Sequence, residues 1–304
     1  MQFFRAIIFK VLSVLLFVVM AGIIKSVSGH VPPGQSVFFR SLFAIPVIVV
    51  WLAMRKELRI GFKTQNPMNH VWRGVIGTSA MAMTFGALGL LPLPEMTAIG
   101  YAMPIFVVVF AAMFLNEPVR LFRLMTVAVG LVGVMIIMAP RLSVDVIDVS
   151  ETLGAVLALG SAVTAALAQV FIRKLTKTET TSSIVFWFSV TATGLSLLTI
   201  YWGWVVPTPK EAALLVLAGI IGGVGQILLT SSYRLADASF VAPFEYSSML
   251  FSIAIGFAFF DEVPTSTTLI GASVVIFAGI LIIWRERQLG LERTKTRKAM
   301  SPQG

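Results

Sequence analysis

Two charged side chains stand inside long apolar segments of this sequence, and they are the first candidates for chemistry. Arg40 lies near the start of segment 34–54, and Glu245 lies within segment 238–260. A guanidinium offers five donors in a fixed geometry, which suits an anionic or carbonyl-bearing substrate. A carboxylate inside an apolar segment suits proton coupling or a counter-ion for a cationic substrate. Two structural roles remain open: Arg40 packs or reaches toward the surface, or the two charges pair with each other.

Aromatic and amide side chains in other apolar segments add to this set. Tyrosine stacks on flat groups and hydrogen-bonds through its hydroxyl, and the small neighbours of Tyr101 and Tyr246 leave room for a ligand. Trp187 offers a stacking face and Gln226 an amide. Hydrogen bonding between helices is the alternative role of the tyrosines and the glutamine. The predicted substrate site, for a planar and polar molecule, consists of Arg40, Tyr101, Trp187, Gln226 and Tyr246, with Glu245 as a proton-coupling group or counter-ion.

The sequence lacks the residues that several other chemistries need. It has no cysteine and only two histidines, His30 and His70, both near predicted loops, so no metal site is expected. It has no GxxxxGK[ST] phosphate loop, which argues against ATP-driven pumping. No cofactor is expected. The acidic residues are scattered and do not form the cluster that a membrane-embedded enzyme needs.

Composition indicates which elements must position these side chains. Of 304 residues, 57% are hydrophobic and 12% are charged, whereas soluble domains have about 45–50% apolar and about 25% charged residues. Apolar segments recur at about the 20-residue length that a helix needs to cross a bilayer. We predict an all-α integral membrane protein with ten transmembrane helices, at 7–27, 34–54, 74–92, 94–115, 120–139, 152–172, 182–205, 212–233, 238–260 and 266–284.

The basic residues indicate how these helices are oriented. Ten spans place both termini on one side, and that side collects nineteen of the 23 lysines and arginines, including Lys10 and Arg73. The other side has three, and Arg40 lies within a span. Because cytoplasmic loops carry such an excess, both termini are predicted to be cytoplasmic. The net charge of +9 is then an orientation signal with affinity for anionic lipids, and no nucleic-acid partner is expected.

One part of the sequence repeats at an offset of 145 residues. Segment 94–118 aligns with segment 239–263, so that Tyr101 meets Tyr246 and Asn116-Glu117 meets Asp261-Glu262. Each half then has five spans, and an odd number makes the second half enter the membrane in the opposite sense. Inverted repeats around a site near the midplane are typical of secondary transporters.

The sequence resembles the two repeat units of EamA-type transporters, in the drug/metabolite transporter superfamily, over two long stretches. They are GTSAMAMTFGALGLLPLPEMTAIGYAMPIFVVVFAAMFLNEP at Gly77–Pro118 and GGVGQILLTSSYRLADASFVAPFEYSSMLFSIAIGFAFFDE at Gly222–Glu262. One difference is that Pro104 of the first unit aligns with Met249 of the second. The resemblance implies ten helices as two inverted five-helix repeats, over 1–142 and 150–285, followed by a basic cytoplasmic tail over 286–304.

The leading functional hypothesis is a secondary transporter that moves a small organic metabolite across a bacterial inner membrane by alternating access. The resemblance implies substrates such as amino acids, vitamin-like or nucleotide-like metabolites and drugs, with riboflavin and S-adenosylmethionine as the named candidates. The alternatives are an exporter working by proton antiport, a membrane-embedded enzyme acting on lipid carriers, and a channel without a transport cycle. Expected partners are the small-molecule substrate and membrane lipids, and the protein is expected to be a monomer or homodimer.

Overall fold

The computed structural model describes residues 2–56, 58–115, 121–142, 149–175, 178–235 and 242–299, and these residues form helices joined by short connections. The helices are α1 (Gln2–Val27), α2 (Pro33–Met54), α3 (Leu58–Gly61), α4 (Pro67–Leu88), α5 (Leu93–Gly100), α6 (Ala102–Leu115), α7 (Leu121–Leu142), α8 (Val149–Leu175), α9 (Thr181–Leu197), α10 (Pro209–Leu235), α11 (Ser247–Phe260) and α12 (Ser266–Ala299). A 3-10 helix, Leu198–Trp202, extends α9, and another, Ala242–Tyr246, leads into α11. Each predicted span therefore coincides with helical residues.

The outer surface of the helix bundle is apolar. Leu250, Phe257 and Phe277 are 70%, 63% and 60% exposed, and soluble monomers rarely expose such side chains in large patches. Five helical segments are long and apolar enough to cross a bilayer, namely Phe4–Val27, Pro33–Met54, Val149–Ile172, Ser182–Trp202 and Pro209–Leu229, and shorter apolar helices accompany them. The chain is a multi-pass membrane protein whose outer side chains face lipid. The count of ten spans stays a prediction.

The helices before residue 143 pack mainly on helices after residue 148. α1 packs against α10 and α4 against α8, while α2 packs against α10 and α4 against α9. α6 contacts α8 as α11 contacts α1, and α7 contacts α12. The two sets of helices make equivalent contacts. If α1 is equated with α8, α2 with α9 and α4 with α10, the contact of α1 with α10 corresponds to that of α8 with α4. The core is therefore built between the two sets rather than within either one.

Two helical segments are interrupted at positions that the sequence repeat aligns with each other. α5 ends at Gly100 and α6 begins at Ala102, so the break falls at Tyr101. The second 3-10 helix ends at Tyr246, and α11 begins at the next residue. Predicted spans 94–115 and 238–260 are thus each divided into two helical parts. The first residues of the second span, up to residue 241, lie outside the described residues.

The third predicted span is misplaced at its start. α4 begins at Pro67 rather than at residue 74, because a proline at the first helical position loses no hydrogen bond that the helix needs. The two polar first turns of α4 bring His70 and Arg73 into the bundle, where both are buried. Lys10 is likewise buried within α1. Arg73, which the predicted span left in the preceding connection, therefore lies inside α4, while the predicted membrane side of Arg73 and Lys10 stays a prediction.

Two glycines allow α7 and α12 to cross closely. A Cβ on Gly271 would lie 2.6 Å from the carbonyl oxygen of Gly133, and a Cβ on Gly133 would lie 2.9 Å from that of Gly271. Rotation of a side chain cannot relieve such contacts because the neighbour is backbone. Small residues are typical of close crossings in membranes.

We expect Gly271→Ala to destabilise the protein by about 1–3 kcal/mol, the usual cost of overpacking. The measurement is the thermal unfolding temperature in detergent. Gly194→Ala is the control, since a Cβ there has nothing within 4 Å and alanine favours helix. An equal effect of the two substitutions would contradict the assignment of this crossing.

Candidate functional site

Arg40 of α2 and Arg73 of α4 contact one aromatic ring in the interior of the bundle. Their Cζ atoms lie 6.0 Å and 3.8 Å from the centroid of the Phe188 ring of α9. Arg40 is 5% exposed, and Arg73 and Phe188 are each 7% exposed. A cation near an aromatic face is stabilised by the ring quadrupole. We call these three residues the arginine cluster.

The arginine cluster lies away from both ends of its helices. At about 1.5 Å per residue, Arg40 is roughly 10 Å from the start of α2 and Arg73 roughly 9 Å from the start of α4. A short connection joins the end of α2 to the start of α4. The two side chains therefore approach Phe188 from opposite ends of the bundle.

Several donors of the arginine cluster have no protein partner within the described residues. They are Nε of Arg40 and both Nε and Nη1 of Arg73. The buried hydroxyls of Ser41, which follows Arg40, and of Thr78 in α4 also lack a partner within the described residues. Buried polar groups are ordinarily hydrogen-bonded, so each exception calls for a reason. A donor set that the protein leaves unmatched suits recognition of an acceptor from outside the chain.

Two glycines, one on α4 and one on α10, leave room for the guanidinium groups. A Cβ on Gly77 of α4 would lie 2.2 Å from Nη1 of Arg73 and 2.9 Å from Cε2 of Phe188. A Cβ on Gly222 of α10 would lie 3.1 Å from Nε of Arg40. The space around both arginines thus depends on the absence of side chains at these positions.

Glu245 pairs with Lys10 rather than with Arg40. The Lys10 ammonium of α1 donates to the Glu245 carboxylate, which lies in the 3-10 helix before α11. The Lys10 side chain is almost fully buried, whereas that of Glu245 is 41% exposed. The predicted alternative of an Arg40–Glu245 pair is wrong, since the partner of the Glu245 carboxylate is Lys10. Glu245 is thus the partly exposed carboxylate of an ion pair whose ammonium group is buried.

The repeat-related tyrosines contact each other. The rings of Tyr101 and Tyr246 lie 5.2 Å apart, edge to face. The Tyr101 hydroxyl donates to the Tyr246 carbonyl oxygen at 3.2 Å and lies 2.7 Å from the Ser248 hydroxyl. A Cβ on Gly279 of α12 would overlap the Tyr246 hydroxyl oxygen, at 1.6 Å. The two helix breaks therefore meet through hydrogen bonds between helices, which is the alternative role expected for these tyrosines.

Trp187 and Gln226 lie apart from this contact. The Trp187 indole donates to the Phe62 carbonyl oxygen at 3.2 Å, so it holds the connection after α3. Its neighbour Phe188, rather than Trp187, carries the arginine contacts. Gln226 is half-buried, one helical turn after Gly222, which borders Arg40.

A second buried ion pair joins four helix ends. Nζ of Lys25, at the end of α1, lies 2.9 Å from Oε1 of Glu262, which follows α11. The same amine donates to the carbonyl oxygens of Leu88 and Leu91 at 3.2 Å and 2.6 Å. The backbone amide of Leu93 donates to Oε2 of Glu262 at 2.7 Å. We call Lys25 and Glu262 the lysine latch. Glu262 thus pairs with Lys25 and also accepts from the first backbone amide of α5, and both side chains of the ion pair are largely buried.

Glu179 joins the connections at the opposite ends of the helices. Its Oε1 accepts hydrogen bonds from the Thr64 hydroxyl at 2.8 Å and from the amides of Gln65 and Asn66 at 2.7 Å and 3.0 Å. Nε2 of His70 lies 3.8 Å away. Burial disfavours the charged carboxylate, but these hydrogen bonds outweigh it and hold the pKa of Glu179 below its ordinary value.

We expect Glu179→Gln to lower the thermal unfolding temperature at pH 7. Because the pKa of Glu179 is lower in the folded state, the carboxylate contributes stability that is fully present above the unfolded pKa of about 4.3. That contribution is lost as the pH falls through the folded pKa. Unfolding curves of both proteins, measured from pH 8 down to well below the unfolded pKa, should therefore converge only at the acid end. A difference that does not vary with pH would indicate a steric effect instead.

Two surface clefts lie apart from the arginine cluster. The larger, about 530 Å³, is lined by Met68, Asn69, Trp72, Ile76, Phe114, Leu167 and Phe171, and the smaller, about 310 Å³, by Phe9, Trp51, Arg55, Ser231 and Leu235. Both are shallow and mostly apolar, and both lie near ends of helices. Neither contains a predicted site residue, so we place the site by its buried charges rather than by these clefts.

Sequence reasoning missed three residues of the interior: Lys10, Arg73 and Phe188. Arg73 carried a usable signal, because Asn66-Pro67 marks a helix start six residues earlier. Lys10 lies near the start of the first predicted span, a few residues after Arg5, where a basic residue is expected at the flank of a span, and this conceals its burial. Phe188 had no signal that distinguished it from the other phenylalanines.

Apolar helices with lipid-facing side chains outside and charged side chains inside define a multi-pass membrane protein with a polar interior. The chain belongs to the EamA-like transporter family, whose sequence profile matches residues 4–139 and residues 152–285. It is a transporter and not an enzyme.

Several relatives resemble the chain over most of its length. The pseudopaline exporter of Pseudomonas aeruginosa is 32% identical, over 91% of this chain and 95% of that protein. The S-adenosylmethionine uptake transporter of Rickettsia bellii is 29% identical, over 83% and 82%, and the riboflavin transporter of Rhizobium johnstonii is 29% identical, over 82% and 78%. A protein of known crystal structure, 20% identical, shares the fold with a TM-score of 0.65 over 93% of this chain and 98% of that one.

Proposed function

We propose that the chain is a secondary transporter that moves a small organic metabolite by alternating access between two inverted five-helix halves. The halves are residues 1–142 and 150–285, and residues 286–304 form a basic tail on the cytoplasmic side. Both termini lie in the cytoplasm and the protein resides in a bacterial inner membrane. The cargo site lies near the midplane, around the arginine cluster and Gln226.

The observation that carries this proposal is the contact between Tyr101 and Tyr246. Residues 145 positions apart meet edge to face, and a helical segment is interrupted at each of them. Discontinuous helices that meet where two repeats join are the usual surroundings of a transporter's midplane site. The exchange of helix pairings between the halves supports the same architecture.

The relatives supply the first cargoes to test. One relative is named as an S-adenosylmethionine uptake transporter and another as a riboflavin transporter. Amino acids are a third class of cargo to test. The name of the pseudopaline exporter supports the alternative that this chain works outward. Proton antiport driven through Glu245 would couple such export, and a monomer or homodimer would suffice for either direction.

The proposal is tested by counterflow in proteoliposomes. A metabolite library is first screened by thermal shift on the purified protein, and the ligand that stabilises it most is then loaded inside vesicles. Uptake of the labelled ligand from outside, absent in protein-free vesicles, is the expected result. A ligand that binds and stabilises the protein but never crosses the bilayer would contradict transport and favour a membrane-embedded receptor or enzyme.

A further inference from the structure

We propose that Arg40 and Arg73, together with Phe188, form a dicationic subsite that binds an acidic group of the cargo. The transported metabolite is then a carboxylate- or phosphate-bearing anion rather than a neutral or purely cationic molecule. This inference rests on the proposed transport function and names the class of cargo for its site.

The charge balance of the described residues supports an external anion. The carboxylates in ion pairs there have other partners: Glu245 pairs with Lys10, Glu262 with Lys25, and Glu211 and Glu179 lie next to histidines. Within this part of the chain, no carboxylate pairs with Arg40 or Arg73. Burying two like charges without a counter-charge is costly, so a bound anion would satisfy both.

The donor geometry suits an oxyanion in particular. Nε of Arg40 and both Nε and Nη1 of Arg73 are buried without a protein acceptor among the described residues. Planar guanidinium groups bind carboxylate and phosphate through two parallel hydrogen bonds, and such charge-assisted bonds are about twice as strong as neutral ones. The guanidinium carbons of Arg40 and Arg73 lie 6.0 Å and 3.8 Å from the centroid of the same ring, that of Phe188. An acidic group seated there would receive donors from α2 and α4 at once.

This cluster also discriminates among the candidate cargoes. S-adenosylmethionine and amino acids each carry one carboxylate, riboflavin carries none, and a polycarboxylate could engage both arginines. We therefore expect polycarboxylates to bind the arginine cluster most strongly and riboflavin most weakly.

The experiment compares acids with their neutral amides at constant ionic strength. The probes are citrate, succinate, succinamide and inorganic phosphate, and the readout is thermal stabilisation of the purified protein and of its Arg40→Gln and Arg73→Gln variants. We expect citrate to stabilise the protein more than succinate, and succinamide not at all. Each substitution should weaken the effect of citrate roughly ten- to hundredfold in half-saturating concentration, the worth of hydrogen bonds to charged groups.

A merely structural role of the arginines predicts the opposite change in the free protein. If they serve binding, removing an unpaired buried charge leaves the ligand-free unfolding temperature equal or higher while citrate binding is lost. Arg55→Gln is the matched control, because it removes an exposed arginine at the end of the same helix. It should leave both quantities unchanged.

Gly77→Ala provides a second variant that keeps both charges. The added Cβ displaces only the flexible end of Arg73 and the edge of Phe188, so the protein should fold and yet bind citrate less well than Gly194→Ala does. Equal stabilisation by succinate and succinamide, no stabilisation by any acid, or a citrate effect that survives both arginine substitutions would overturn the proposal.

Counterflow separates this failure from failure of transport itself. Counterflow of a neutral cargo that is indifferent to both arginine substitutions would overturn the acidic subsite and leave transport intact. Acids that bind through the arginines but never cross the bilayer would leave the subsite intact and overturn transport.

Discussion

Replacing Lys25 by methionine should open one end of the helix bundle and raise the accessibility of its interior by about a hundredfold. The lysine latch ties the ends of α1, α4 and α11 together, and its two side chains are largely buried. Removing one partner of a buried ion pair costs about 3 kcal/mol or more, and every 1.4 kcal/mol is a factor of ten in an equilibrium. In an alternating-access cycle, the latch stabilises the state that is closed at its own end.

The measurement uses the absence of native cysteine in the sequence. Ser41→Cys places one thiol beside Arg40, and a membrane-impermeant sulfonated maleimide is added to either side of oriented vesicles. Labelling of the thiol from the side on which Lys25 lies should be faster in the Lys25→Met variant. It should remain slow in the control variant Lys210→Met, which changes an exposed lysine. Unchanged labelling in a folded Lys25→Met protein would show that the latch does not close this path.

Glu245→Gln should abolish accumulation of cargo against its gradient while leaving exchange of cargo across the membrane intact. A pH difference of two units stores about 2.7 kcal/mol, enough for a hundredfold concentration ratio. Glutamine keeps the shape and an acceptor for Lys10 but cannot take up a proton. If Glu245 carries the proton, the ratio built up by a pH gradient should fall to about one.

Two assays on the same vesicles separate coupling from stability. Accumulation is measured with an imposed pH gradient, and exchange is measured by counterflow without one. Glu211→Gln is the control, since it removes a carboxylate at the surface that contacts His30. Full gradient-driven accumulation by Glu245→Gln would make the proton-coupling role wrong, and a parallel loss of both activities with a lower unfolding temperature would assign Glu245 a structural role.

The helical segments were predictable because crossing hydrocarbon imposes a length and a polarity on each of them. Within the described residues each predicted span overlaps helix, and the breakers Pro32-Pro33 and Pro207-Thr208-Pro209 stand where helices begin. Errors arose where a helix starts with polar turns. Hydropathy cannot separate the first turns of α4 from a loop, so Arg73 was assigned to the connection before the third span although it is buried within α4.

The repeat was readable for a similar reason, since two segments with one packing role keep similar residue patterns. The alignment of Tyr101 with Tyr246 identified two positions that are equivalent in the chain, and the structure adds that they contact each other. Contact between equivalent positions requires that both lie where the two sets of helices meet. The order of residues in the sequence does not specify that these two side chains are in contact.

The sequence by itself determined that the protein lies in a membrane, that its segments are helical and which family it resembles, because these properties depend on composition and on the local order of residues. Only the tertiary structure decided the partners of the charges. Glu245 meets Lys10, Lys25 meets Glu262, and the two arginines meet at Phe188. Each of these contacts joins residues from distant segments, and the packing of helices from the two parts of the chain selects among charges that look alike in sequence.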